Sequence, residues 1–188
     1  MPIYTRTGDL GETSLFGGKR VFKYDEIVNL CGLIDELNSS IGLVASMVPS
    51  GDVQKFLQEI QKDLFSMGSC LAGSLRLDSH SIVKRVGEME TRIDKMEDTL
   101  KPLHQFILPG GIPLSAVIHI TRSVTRRVER KAVYVLKQCS YPEIDIMQLE
   151  NSIQYLNRLS DYFFVLARFV THQEHGVEIA WEGIKKKK

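Results

Sequence analysis

Between residues 149 and 170 the side chains of Leu149, Ile153, Leu156, Ser160, Phe163, Ala167 and Val170 recur in alternating steps of four and three. A strand would send successive members of such a series to opposite faces, whereas a helix gathers them into one seam. A seam this long is buried only against other helices lying nearly parallel to it, so the segment dictates a helical bundle.

The rest of the chain supplies the partners. From Asp25, apolar Ile27, Leu30, Ile34, Leu37, Ile41, Val44 and Val48 keep helical spacing until Pro49-Ser50-Gly51. A second stripe runs through Val53, Phe56, Ile60, Leu64, Met67 and Leu71, with Asp78-Ser79-His80-Ser81 as its expected end. A third, more polar helix is expected over about residues 82–100, its acidic and basic residues forming a solvated face. After the turn Leu108-Pro109-Gly110-Gly111, a fourth starts near Pro113 and carries Val117, Thr121, Val124, Val128 and Val135 inward as far as Ser140-Tyr141-Pro142. No strand is expected and no repeat is evident. The sequence therefore predicts an all-α, ferritin-like five-helix bundle over 25–173, with a glycine-rich segment before it (1–24) and a tail after it (174–188), in a single domain of 188 residues.

Composition narrows the function. A 43% hydrophobic content suits one core, and a formal net charge of +1 argues against a nucleic-acid surface, which leaves a domain distinctly basic. Cys31, Cys70 and Cys139 are too scattered for a disulfide framework or a zinc site, which points to a reducing compartment. With no leader-like or membrane-length apolar run expected, the chain reads as cytoplasmic and free of a membrane.

Three polar clusters exceed what a plain bundle needs. In Thr5-Arg6-Thr7-Gly8-Asp9-Leu10-Gly11-Glu12-Thr13-Ser14, glycines allow the backbone to approach a ligand while amides and hydroxyls face anionic oxygens; Lys19, Arg20 and Lys23 add charge. The segment lacks the spacing of a Walker loop, and a flexible leader is the other reading. On the fourth helix Arg122, Arg126 and Arg130 stand four apart with Arg127 and Glu129 beside them, either a solvated basic stripe or a seat for a polyanion such as a triphosphate. On the fifth, Asn157, Arg158, Asp161 and Arg168 interrupt an apolar helix and require partners; Asp161 is expected to orient an arginine of the fourth helix. His172 and His175 lack the spacing of a strong metal motif, and Lys185 to Lys188 read as a solvated tail.

Taken together the motifs Thr5-Arg6-Thr7-Gly8-Asp9, Gly18-Lys19-Arg20-Val21, Asp35-Glu36-Leu37-Asn38-Ser39, Phe106-Ile107-Leu108-Pro109-Gly110-Gly111, Arg122 to Arg130 and Leu156-Asn157-Arg158-Leu159-Ser160-Asp161 resemble the PduO-type corrinoid adenosyltransferases, in order and over nearly the whole chain. The resemblance implies transfer of the 5′-deoxyadenosyl group of ATP to cob(I)alamin with release of triphosphate. ATP and cobalamin are then substrates, with Mg²⁺ carried mainly on the ATP phosphates. It also implies a homotrimer with ATP between subunits, and partners that include a cob(II)alamin reductase and an adenosylcobalamin-dependent enzyme. A carrier that binds ATP and escorts finished adenosylcobalamin without turnover is the alternative.

Carried over by residue, the resemblance makes Thr5, Arg6, Thr7, Gly8, Thr13, Ser14 and Lys23 the ATP loop. Arg126, Arg127, Val128, Glu129, Arg130 and Asn157 complete the site, and Arg126 grips the triphosphate. Asp35 would pair across the interface with Arg122, and Phe106 would lie beside the corrin and help keep the lower axial base off cobalt. The chain departs from the pattern at Phe22, where proline is common, at Tyr24, where an acidic residue is common, and at Val128, where alanine is usual.

Overall fold

The structure is a computed structural model that describes residues 4, 6–74, 77–138, 141 and 145–182. Five helices carry it: α1 (Glu26–Met47), α2 (Asp52–Leu71), α3 (Ser79–Glu97), α4 (Pro113–Gln138) and α5 (Ile146–Gln173), preceded by strands β1 (Glu12–Ser14) and β2 (Arg20–Phe22). The centre is α5, packed against α3 on one side and α4 on the other; α4 in turn packs on α1, and α1 on α2. Leu30, Leu37, Ile41, Leu57, Ile60, Leu64, Phe163 and Leu166 are fully buried in the core they share. The predicted seam faces that core at Leu149, Leu156, Ser160, Phe163 and Ala167.

Three aspartates start helices in the same way. The carboxylates of Asp25, Asp78 and Asp145 accept the backbone N–H groups of Ile27, His80 and Met147, each satisfying a donor with no partner in the first turn. Asp78 therefore opens α3 and does not close α2. The end of α2 comes earlier, at Leu71, followed by Gly73 in the left-handed region (φ 83°), where glycine avoids the Cβ clash. The third helix runs three residues earlier at both ends than its charge pattern suggested.

Two expectations are corrected here. The glycine-rich segment contains a short antiparallel hairpin, Glu12 opposite Phe22, Thr13 opposite Val21 and Ser14 opposite Arg20. Strands of three residues are too short to display alternation, and the connection closes because Gly17 and Gly18 take successive positive φ values of 87° and 85°. Second, α1 is long and apolar enough in composition to match a membrane span, contrary to expectation. Its buried positions nevertheless recur in steps of three and four and pack on α2 and α4, while Asp35 and Glu36 lie exposed at mid-helix.

Past α5 the tail is tied down. Ile107 and Ala180 form an antiparallel bridge, Leu108 N–H donates to the carbonyl of Ile179 and Trp181 N–H to that of Phe106, both at 2.8 Å. The terminal lysines Lys185 to Lys188, like Cys139, Ser140 and Pro142, lie outside the described residues.

Candidate functional site

Helix α4 brings the arginines to one side of the bundle because its other side is the core. Val124, Val128, Ala132 and Val135 are buried there, so residues at the complementary positions face outward. Arg126 and Arg130 are exposed, and neither makes an ion pair with a described carboxylate. Arg127 binds Glu36 of α1, and Glu129 accepts a hydrogen bond from Asn157 Nδ2 at 2.9 Å. Val128 is fully buried: its side chain supports the arginine face from behind and offers no surface to a ligand.

Arg122 differs from the others. It is half-buried, and its Nε has no hydrogen-bond partner among the described residues. Burial and the neighbouring Arg126 charge both disfavour its protonated form, lowering its pKa from the usual value. One turn earlier, His119 is 5% exposed, packs edge-on to Phe164 with ring centroids 6.1 Å apart, and has an unpartnered Nδ1. Burial, then the charge of Arg122, push its pKa down, against the opposing pull of Glu178, so it is neutral at pH 7. An open cavity of about 520 Å³ runs along this helix, lined by Ala116, His119, Ile120, Ser123, Arg127 and Arg130 among others.

The N-terminal loop is assembled separately. Thr5 lies outside the described residues. Arg6 takes a left-handed φ of 60° with its guanidinium 5.6 Å from the centre of the Tyr4 ring. Gly8 is closely packed: a Cβ there would come within 3.3 Å of Lys23 Nζ, so the absence of a side chain lets the ammonium lie against the backbone. Lys23 N–H donates to the carbonyl of Gly11 at 2.9 Å, which closes the loop onto β2. Thr13 sits in the hairpin opposite Val21, and Ser14 Oγ accepts from Arg20 at 3.4 Å. The turn of the hairpin is docked through Phe16 N–H on the carbonyl of Ala72, just beyond α2. None of the hydrogen bonds or ion pairs between described residues joins residues 6–14 to Arg122, Arg126 or Arg130. Asp35 likewise has no ion-pair partner among the described residues and does not meet Arg122 within the chain.

Phe106 is 79% exposed in the α3–α4 connection, its ring 6.4 Å from that of Trp181 and inclined by 64°. The tail that brings Trp181 there is held by Arg168, which is 5% exposed and donates from Nε to Glu178 Oε1 and from Nη2 to the carbonyl of Lys101, both at 2.9 Å. Arg168 thus belongs to the tail anchor. Asp161 is also reassigned: it pairs with Arg158 of its own helix at 2.7 Å, one turn away, and not with an arginine of α4. Glu178, Trp181 and His119 escaped the sequence reading. Only His119 left a trace there, three residues before Arg122 on the same face.

Among the described residues, neither the loop nor the arginine face offers a nucleophile with an adjacent base. Both offer cationic groups and backbone N–H groups suited to a polyphosphate. Among the described residues no group of three or more His, Cys, Asp or Glu side chains converges on a metal position.

The comparisons agree with that chemistry. Residues 3–170 match the cobalamin adenosyltransferase family. The chain is similar to the corrinoid adenosyltransferase of Bacillus subtilis, 40% identical over 187 residues, which cover 97% of this chain and 93% of that one. It is 35% identical over 190 residues to the corrinoid adenosyltransferase PduO of Salmonella typhimurium, covering 99% of this chain but 54% of that longer protein. Among solved structures, a variant PduO-type ATP:corrinoid adenosyltransferase from Lactobacillus reuteri, complexed with cobalamin and ATP, superposes with a TM-score of 0.84 at 31% identity, covering 97% of this chain and 100% of that one. With the family matched over most of its length and the same bundle beneath it, the chain belongs to the cobalamin adenosyltransferases.

Proposed function

We propose that the chain transfers the 5′-deoxyadenosyl group of ATP to the cobalt of cob(I)alamin, in a site completed between subunits of a homotrimer. The observation that carries the reading is the unspent charge on α4: Arg126 and Arg130 exposed without a described carboxylate, and Arg122 half-buried with an orphaned Nε. Buried polar atoms and clustered like charges are costly until something satisfies them. A triphosphate satisfies Arg126 and Arg130, and Asp35 of a neighbouring subunit satisfies Arg122. The N-terminal loop, tied to the far end of α2 within its own chain, supplies its amides and Lys23 to the arginine face of another subunit.

The chemistry asks little else of the protein. Co(I) provides the electron pair that forms the bond to C5′, the C5′–O bond breaks, and triphosphate leaves with the electron pair of that broken bond. In-line placement and neutralisation of the departing charge are work for Arg126, Arg130, Lys23 and backbone N–H groups. Magnesium arrives on the nucleotide, in keeping with its preference for phosphate oxygens and water. Phe106 presents an exposed aromatic face to the corrin, on the side where it keeps the lower axial base away. Unpaired Cys31 and Cys70 suit a reducing cytoplasm.

Anaerobic incubation of chemically reduced cob(I)alamin with MgATP, followed by the absorbance of the cobalt–carbon product, tests the reading. Wild type forms product, and Arg126→Ala loses about 100-fold or more in kcat/KM. A folded wild type that binds ATP yet forms no product is an escort and not a transferase.

A further inference from the structure

Arg20 is a basic residue beside a phosphate-binding loop, yet its exposed guanidinium is folded back onto the loop itself. Nη2 donates to the carbonyl oxygen of Thr7 at 2.9 Å and to Glu12 Oε2 at 3.1 Å. Nε reaches the same carboxylate oxygen at 3.3 Å, and Nη1 reaches Ser14 Oγ at 3.4 Å. One planar fork therefore spans the turn before β1 and both ends of β1, which a lysine could not do from a single ammonium. The turn's own backbone bonds, Asp9 N–H to Arg6 O and Gly11 N–H to Gly8 O, are long at 3.5 and 3.4 Å.

Charge explains why the clamp is needed. Glu12 places a carboxylate next to the segment that is to receive ATP, and among the described residues its ion pair is with Arg20. We infer that Arg20 is a positioning residue, whose guanidinium holds the Thr7 carbonyl and the Glu12 carboxylate so that residues 6–14 keep one conformation for ATP, without itself binding the triphosphate. This rests on the assignment of that loop to ATP.

The two possible roles of Arg20 differ in sign at Glu12. Were Arg20 a phosphate ligand, Glu12→Ala would remove a competing anion and tighten ATP. As a clamp, it loses its anchor and ATP binds more weakly. ATP affinity by calorimetry, and KM and kcat with cob(I)alamin saturating, are measured on the full chain for wild type, Arg20→Ala, Arg20→Lys, Glu12→Ala and the double alanine variant.

The clamp predicts that both single alanine variants raise Kd and KM for ATP by about fivefold with kcat within about twofold, since charge-assisted bonds at a half-exposed site have that order of effect. It also predicts that the double variant is no worse than either single one and that Arg20→Lys fails to restore affinity. Amide exchange at Leu15 and Lys23, whose N–H groups close the hairpin, quickens in Arg20→Ala while α5 amides are unchanged. Tighter or unaltered ATP binding by Glu12→Ala, or full rescue by lysine, overturns the clamp. A wild type that does not bind ATP overturns the loop assignment along with it, whereas wild-type binding with an indifferent Glu12→Ala overturns the clamp alone. Should an alanine variant unfold, the milder Glu12→Gln, which keeps an acceptor but no charge, carries the same comparison.

Discussion

Arg168 of α5 and Glu178 of the C-terminal segment form a charged pair at 2.9 Å in which the arginine is almost wholly buried. The pair determines where the last described part of the chain goes. With Glu178 held, Ala180 bridges Ile107 and Trp181 meets Phe106. Removing the carboxylate leaves a buried guanidinium whose remaining hydrogen-bond partner among the described residues is the Lys101 carbonyl.

Glu178→Ala should therefore cost about 1–2 kcal/mol, less than a fully buried pair because the glutamate side chain is partly exposed. The sole tryptophan of the sequence, Trp181, reports the release directly. Its fluorescence shifts to longer wavelength and the unfolding midpoint falls. An unchanged emission spectrum would show that the tail is held by other contacts.

Arg122 gives a test of assembly that depends on sign. In an isolated chain, Arg122→Met removes a half-buried charge whose Nε has no described partner, so a monomer loses little stability or gains some. In a trimer paired through Asp35 the same change breaks an interfacial ion pair. Sedimentation of Arg122→Met and Asp35→Asn should show dissociation with the helical signal intact; two variants that sediment as wild type remove this contact from the interface.

Val128 should behave as core and not as ligand. Its side chain is fully buried between outward-facing Arg127 and Glu129, so Val128→Ala should destabilise by about 1–2 kcal/mol while KM for ATP stays within twofold. Urea unfolding and steady-state kinetics on one preparation read both. A raised KM at unchanged stability contradicts the assignment.

His119 predicts a pH dependence. Its folded-state pKa lies below the ordinary 6.5, chiefly from burial and then from Arg122, so the unfolded chain binds a proton more readily. The sign follows: its contribution is complete above pH 6.5 and is lost as pH falls from there towards the lower folded pKa. Urea midpoints between pH 8 and 5 should drop on the acid side, and His119→Phe should flatten that drop. Parallel curves for the two proteins would exclude the residue.

Much of the scaffold was legible because its cause is local. Four apolar stripes, the helix start at Asp25, the stop at Pro49 and the turn at Pro109-Gly110-Gly111 before α4 lie within a few residues of the structure they set. The arginine spacing on α4 and the glycines of the loop were visible for the same reason. The start of α3 was misplaced because Asp78 looks alike as the end of one helix and the cap of the next; only the left-handed Gly73 separates the two.

What sequence could not supply was which partner each polar side chain takes. Arg168 announced a buried charge but not Glu178, Asp161 announced a partner but not its own neighbour Arg158, and Arg20 read as added charge until its fork was seen around Thr7, Glu12 and Ser14. Periodicity and capping are properties of a few consecutive residues, so the chain alone determined its helices and their inward faces. Which side chains meet depends on how those helices and loops pack, where a small rotation exchanges one partner for another; the tertiary structure decided the hairpin clamp, the tail anchor and the orphaned Arg122.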